Sequence, residues 1–279
     1  MRTNSSRTAR AFTLIELLVV MAIISLLMSI TMPSLRSAKE KGHQVVCNTN
    51  LHNLILSWEL YNNNNHQRLC SPFTGGEDGG SLLQGWVIDG PESSNSAIGG
   101  SEAAIVNGQL FPYVEDVDVY RCPSDKSGRI RGFAMSFVMG GTNGVRLDDT
   151  NPTGNIIARD TLKAVSSTPR TTGKLVFIDA QPLETTDAWI PGSFAPIKKD
   201  TTQWRANSYT ASMTARHSGG CNVAFADGSC SSWKWKNPAT IDFIENPTID
   251  NTVENPGDIR SAKGNEDYMK VLTALDQKK

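Results

Sequence analysis

His217, Asp227 and Asp179 are the residues whose types invite a chemical reading, because imidazole and carboxylate serve both as metal ligands and as acid–base pairs. Nine residues separate His217 from Asp227, and Asp227-Gly228 interrupts NVAFADGSCSSW (222–233) in the manner of a tight hairpin turn. Turn formation accounts for Asp227, and capping or hydrogen bonding at a strand entry accounts for His217, more simply than catalysis or metal binding does. The remaining histidines, His43, His52 and His66, fall at spacings that build no common site. Five cysteines, Cys47, Cys70, Cys122, Cys221 and Cys230, lack the paired C-x2-C knuckles of a zinc site, so they read as thiols or disulfide partners with one left over. The acid pairs Glu77-Asp78 and Asp148-Asp149 lie in Gly/Asn/Thr-rich stretches that suit solvated turns or a calcium clip. Calcium is the one alternative to the absence of a cofactor, and no ligands are assigned to it. A nucleophile elbow, a zincin helix, a phosphate-binding Gly-rich loop and a dinucleotide fingerprint are all missing, and no enzyme is expected. Trp58, Trp86, Trp189, Trp204, Trp233 and Trp235 suit core packing, or a glycan-binding platform if exposed.

The elements that must carry these residues begin with an apolar run. Phe12 to Met32, FTLIELLVVMAIISLLMSITM, contains one charge, Glu16, and at about 1.5 Å per residue it matches a hydrocarbon core about 30 Å thick. Arg2, Arg7 and Arg10 precede it with no acid among them, which places the N-terminus in the cytoplasm and the bulk of the chain across the membrane. A carboxylate in such a segment costs roughly 2.5–3.5 kcal/mol on insertion scales, so Glu16 needs a partner, a function or headgroup water. In an ordinary secretory signal the cleavage site follows the apolar region, whereas here the polar region and the expected cut precede it.

That reversed order, in RTARAFTLIELLVVMAIISLLMSITMP (7–33), resembles the type IV prepilins and type II secretion pseudopilins. The resemblance implies cleavage between Ala11 and Phe12 by a membrane prepilin peptidase, methylation of the new N-terminal Phe12, and a role for Glu16 in assembly with other pilin-like subunits. Ala11 stands where those proteins usually carry Gly, and Pro33 stands where their helices often carry a proline. A second resemblance is to a large family of prepilin-like proteins with an H-x9-DG motif, matched here by His217, Asp227 and Gly228. The segments CNTNLHNL (47–54), VYRCPSD (119–125) and KLVFIDA (174–180) also look like that family.

Beyond Pro33, Leu35, Ala38, Val45, Leu51, Leu54, Ile55, Trp58 and Tyr61 recur near helical spacing until Asn62–Asn65 stop the helix. Expected strands are 86–89, 133–139, 174–179, 222–227 and 229–235, and expected loops are 74–80, 90–101, 141–155 and 164–173. The organisation is therefore a leader (1–11), a transmembrane helix (12–33), its exported continuation (34–65), a β-rich head (66–236) and a polar, Pro-punctuated extension (237–279), in which 267–275 is a docked helix or a frayed tail. A pilin-like α+β fold follows, with the helix packed on an antiparallel sheet. A two-residue turn at Asp227-Gly228 puts Cys230 opposite Phe225 and Cys221 four residues further on, about 13 Å away at strand rise. A bridge needs Cα atoms within about 7 Å, so these two cysteines should not bond.

The whole chain has 27 Lys+Arg against 28 Asp+Glu, and without the three leader arginines the balance is 24 against 28, or -4. That acidic remainder offers no basic stripe, which argues against nucleic acid as a partner. Two functions remain from different classes: a structural subunit of a pilus-like or secretion-like assembly in the inner membrane with a periplasmic head, or an envelope-anchored, glycan-binding protein using the leader for export.

Overall fold

The computed structural model describes residues 12–72, 85–87, 102–136, 139, 173–181, 193–194, 203–205, 212–246, 259–261 and 264–275. The chain divides into two compact units, Met1–Gly42 and His43–Lys279. Ala11, the acid pairs Glu77-Asp78 and Asp148-Asp149, Trp189 and almost all of the expected loops lie outside the described residues.

Helix α1 (Leu14–Asn64) opens with a reciprocal cap. The Thr13 backbone N–H donates to Glu16 Oε2 at 2.8 Å, while the Glu16 N–H donates to Thr13 Oγ1 at 3.3 Å. This T-x-x-E arrangement satisfies two backbone donors that a helix N-terminus otherwise leaves open. It is the only helix among the described residues long and apolar enough to cross a membrane by length and composition. Within the first unit its side chains are exposed, from Leu14 (81%) through Leu26 (63%) to Met32 (55%). The helix runs through Pro33, whose missing N–H deprives the Ser29 carbonyl of its usual partner. It ends where the asparagine run begins to compete for the backbone. Gln67 N–H bonds back to the Asn62 carbonyl at 2.7 Å, with His66 and Gln67 at left-handed φ of 56° and 65°.

The second unit is built on a sheet of order β3-β1-β2-β6-β7, formed by β1 (Phe133–Ser136), β2 (Leu175–Gln181), β3 (Ser193–Phe194), β6 (Gly220–Phe225) and β7 (Cys230–Lys234). β5 (Ser212–Met213) pairs with the end of β2, and all these pairings are antiparallel except β1 with β3. β4 (Gln203–Arg205) and β8 (Ile259–Ser261) form a separate two-stranded pair. Of the strand expected at 86–89, Trp86 and Val87 are described but not extended, and Gly85 makes a lone bridge to Ser71.

Both faces of the sheet are covered. On one, Cys47, Leu51, Leu54, Ile55 and Trp58 of α1 meet Phe133, Met135, Val176, Phe177 and Ala224. Cys47, four residues before Leu51, carries this stripe, whereas Leu35 (69% exposed) and Val45 (66%) lie off it. Small helices α2 (Glu102–Val106) and α3 (Phe111–Val114) and the 3-10 turn Val117–Tyr120 fill in the same side, through Ile105, Phe111 and Tyr120. On the other face, α4 (Pro238–Glu245) and α5 (Glu266–Leu275) lay Phe243, Ile244, Tyr268, Val271 and Leu275 over Ile178, Cys221, Val223 and Trp233. The segment 267–275 is thus a docked helix. Asn265 Oδ1 caps it by accepting from the Asp267 and Tyr268 N–H groups at 2.9 and 3.2 Å. Asp267 in turn accepts from the N–H groups of Lys236 and Asn237, both at 2.9 Å, joining the end of β7 to the start of α4.

The hairpin register differs from the expected one. Ala224 faces Cys230 and Cys221 faces Trp233, because Phe225 N–H bonds the Ser229 carbonyl at 2.9 Å around a three-residue loop, Ala226-Asp227-Gly228. Gly228, at φ +80°, occupies the left-handed position that such a loop requires. Cys221 packs on the α4–α5 side and Cys230 on the α1 side, so the two thiols are separated by the sheet as well as along it.

Candidate functional site

The structure separates the two halves of the H-x9-DG motif. Asp227 is exposed in the hairpin loop, where its Oδ1 accepts from the Ser229 N–H at 3.0 Å and from the Ser229 hydroxyl, so turn formation is its visible role. His217 is buried at the turn between β5 and β6, where Ser218 and Gly219 adopt φ of 56° and 81° and the His217 N–H returns to the Gly220 carbonyl at 3.2 Å. Its imidazole is engaged in hydrogen bonding at the entry to β6. Nε2 lies 3.1 Å from Asp179 Oδ2 and 3.4 Å from Cys122 Sγ, with both the His217 and Asp179 side chains fully buried.

Four elements converge on this point. α1 brings Cys47, whose Sγ is 4.0 Å from Asp179 Oδ2, and the segment after the 3-10 turn brings Cys122, whose Sγ is 3.8 Å from the same oxygen. β2 brings Asp179, on the α1 side of the sheet. An irregularity between Leu175 and Phe177 turns both Val176 and Phe177 to that side, and regular alternation then aims Asp179 at α1 as well. Cys122 is held in place from two directions. Asn50 on α1 donates to the Arg121 carbonyl at 2.9 Å, and Gly132 packs so closely that a Cβ there would sit 2.9 Å from the Cys122 nitrogen.

The second carboxylate oxygen of Asp179 is engaged by Arg216. Its Nη1 is 2.8 Å from Oδ1, and its Nη2 reaches the Ala180 carbonyl at 2.9 Å and Asp125 Oδ2 at 3.2 Å. Burial alone would lower the His217 pKa, but its hydrogen bonds to Asp179 and Cys122 and their charges raise it to about 10. The hydrogen bond between the cysteines lowers the Cys122 thiol to about 6 against the opposing effect of burial, with His217 adding to the lowering. Burial first, then Cys122 and the Asp179 charge, push the Cys47 thiol well up.

This is not the geometry of a nucleophilic relay. In such a relay the base accepts from the nucleophile on one ring nitrogen and is oriented by the carboxylate on the other. Here one nitrogen faces both the thiol and the carboxylate, and Cys122 is only 2% exposed. Cys47, Cys122, Asp179 and His217 present ligand atoms that all lie within 4.8 Å of one another, a set able to hold a metal ion. Sequence reasoning found His217 and Asp179 but set them beside Asp227, and it read no site into Cys47 and Cys122. A signal was present: each of the four segments quoted for the second resemblance contributes one member.

The other singled-out residues are elsewhere. Phe12 is 79% exposed at the start of the described chain, Glu16 is in the helix cap, and Pro33 is within α1. Four tryptophans, Trp58, Trp86, Trp233 and Trp235, are buried, with Trp86 stacked on Tyr120 at 6.0 Å. All five cysteines are free thiols.

Residues 6–32 match the prokaryotic N-terminal methylation motif. Over 60 residues the chain is 37% identical to the type IV wide pilus major component PilA4 of Thermus thermophilus, a match covering 22% of this chain and 46% of that protein. Less than half of the relative's length is therefore spanned. No solved structure matches the chain. A prepilin-type methylation motif and a weak similarity to a type IV pilin thus accompany a fold in which a long helix packs on a small antiparallel sheet.

Proposed function

We propose that this chain is a pilin- or pseudopilin-like subunit that is cut between Ala11 and Phe12, methylated on Phe12, and assembled through α1 into a type IV pilus-like or type II secretion-like structure. Before assembly it resides in the inner membrane as a single-pass protein, with its N-terminus in the cytoplasm and the unit His43–Lys279 in the periplasm. Its partners are the prepilin peptidase and methyltransferase and other pilin-like subunits. One observation carries this reading: within a methylation motif at 6–32, the apolar side chains from Phe12 to Met32 are all exposed, with no cover among the described residues. Lipid and neighbouring helices are the surroundings in which such a surface is stable. The alternative, a glycan-binding envelope protein, relied on exposed tryptophans, and four of the six are in the core.

Glu16 supplies the test. In the single chain its carboxylate caps α1 through Thr13, and after cleavage the amine of a neighbouring Phe12 becomes a competing partner. Glu16→Gln keeps the cap and removes the charge, because glutamine also serves at the third position of a capping box. Glu16→Val removes both and makes the segment more apolar, so it inserts at least as well. Both variants are expected to reach the membrane and be cleaved, and both to lose assembly. The readouts are the mass of the N-terminal peptide, the membrane level and recovery in sheared or crosslinked assemblies, with Ala11→Gly reporting whether processing is limiting. Assembly by Glu16→Gln but not Glu16→Val would reduce Glu16 to a helix cap. Normal assembly by processed Glu16→Val would remove it from assembly altogether.

A further inference from the structure

The cluster around Asp179 has the dimensions of an ion-binding site. A tetrahedral zinc ion with bonds of about 2.3 Å to sulfur and about 2.0–2.2 Å to nitrogen and oxygen sets its ligand atoms roughly 3.4–3.8 Å apart. The separations here are 3.1 Å (His217 to Asp179), 3.4 Å (Cys122 to His217), 3.8 Å (Cys122 to Asp179) and 4.0 Å (Cys47 to Asp179). As a purely hydrogen-bonded group the arrangement is poor, since two thiols and an imidazole crowd one carboxylate oxygen while the other oxygen is already engaged by Arg216. As a ligand set it is coherent. Oδ2, both sulfurs and Nε2 converge, Arg216 orients the carboxylate from behind, and its positive charge offsets the excess of two thiolates and a carboxylate over a divalent ion.

We propose that Cys47, Cys122, Asp179 and His217 bind one zinc ion that fastens the second half of α1 to the sheet. The donor chemistry selects the metal. Two sulfurs and an imidazole suit a borderline ion in a tetrahedral site, whereas calcium and magnesium take oxygen ligands. Four protein ligands, all buried, leave no open position for substrate, so the site is structural. Spacings of 132 residues between Cys47 and Asp179 and 95 between Cys122 and His217 explain why no C-x2-C pattern announces it. The site stands apart from the assembly reading, and either can fail without the other.

The main rival is a disulfide between Cys47 and Cys122, whose sulfurs are also within 4.8 Å. The full-length chain, purified from membranes in mild detergent without chelator or a histidine tag, distinguishes the two. Elemental analysis is expected to find one zinc per chain, and X-ray absorption at the zinc edge a shell of two sulfur and two lighter scatterers. Cys47→Ser and His217→Ala are expected to lower zinc occupancy roughly tenfold or more, and Cys230→Ser to leave it unchanged. Because ligand variants can misfold, the wild-type stoichiometry and scattering shell are decisive on their own. Zinc-free protein, a Cys47–Cys122 disulfide in unreduced peptides, a shell without two sulfurs, or zinc retained in both ligand variants would overturn the proposal.

Discussion

Ending the chain after Gly264 removes α5, and the structure makes this a larger loss than a polar C-terminus suggests. Tyr268, Val271 and Leu275 are 1%, 0% and 3% exposed. At about 1.5–3 kcal/mol for each such side chain, their burial contributes roughly 5–9 kcal/mol. Their removal also exposes part of the sheet beneath them, so the total rivals the roughly 5–15 kcal/mol by which whole domains are stable. The expected result is a chain that reaches the membrane but shows no cooperative unfolding. Lys270 lies 4.7 Å over the Trp233 ring, so tryptophan emission of the detergent-solubilised protein reports on this contact, and near-ultraviolet circular dichroism reports on packing. Tyr268→Ala gives a graded version. It should cost about 3–5 kcal/mol, and at about 2–4 °C per kcal/mol the midpoint should fall by roughly 6–20 °C. A truncated chain that keeps its near-ultraviolet signal and unfolds within about 4 °C of the wild type would refute the reasoning, because the second sheet face would then need no cover.

Three further outcomes are expected. Trp58→Ala should cost about 3–5 kcal/mol in urea unfolding, whereas Trp58→Phe should stay within about 1 kcal/mol of wild type, since it removes a buried indole N–H that has no acceptor among the described residues. Gly132→Ala drives a Cβ to 2.9 Å from the Cys122 backbone and should cost about 1–3 kcal/mol and lower zinc content, and an unchanged thermal midpoint with unchanged zinc would show that the close approach is dispensable. With the metal removed, the raised His217 (6.5 to about 10) loses its contribution as pH rises while the lowered Cys122 (9.0 to about 6) gains one, so the two nearly cancel between pH 6.5 and 9 and stability is expected to be almost flat there. Zinc-loaded protein, whose ligands must be deprotonated, should instead gain stability as pH rises through that window, and thermal scans with and without chelator compare the two.

The parts legible in the sequence were those set by local pattern. One apolar run and its following stripe gave α1, and four consecutive amides gave its end to within a residue. The alternating segments of β2, β6 and β7 were found within one or two residues of their limits. What escaped depended on register or on distant partners. The hairpin loop holds three residues rather than two because a left-handed Gly228 closes it either way, and the Asp-Gly pair is the same in both. The stripe of α1 was phased on Val45 although Cys47 carries it, because a cysteine reads as apolar only once its neighbours are known. α4 was hidden by Asn and Pro residues that turn out to begin it, Asn237 accepting from the Ala239 N–H, whereas α5 was legible as the amphipathic segment 267–275 and only its docking, capped by Asn265, was open. The four segments that carry the cluster were each legible, but their convergence was not, because its members come from four elements far apart in the chain.

The covering of the sheet by a helix that precedes it and by helices that follow its main strands also fixes an order of events. α1 precedes the sheet in the chain and α5 follows it. Until α5 is delivered, Cys221, Val223 and Trp233 have only the part of their lid that α4 supplies, and the cluster around Asp179 must close across 132 residues of chain. A chain without α5 therefore presents a partly uncovered apolar sheet face and several reduced thiols for as long as delivery takes. Such surfaces aggregate or cross-link when they linger. The expected consequence is a yield that responds to the availability of thiol-protecting and holding factors until α5 arrives, more than to the stability of the finished fold.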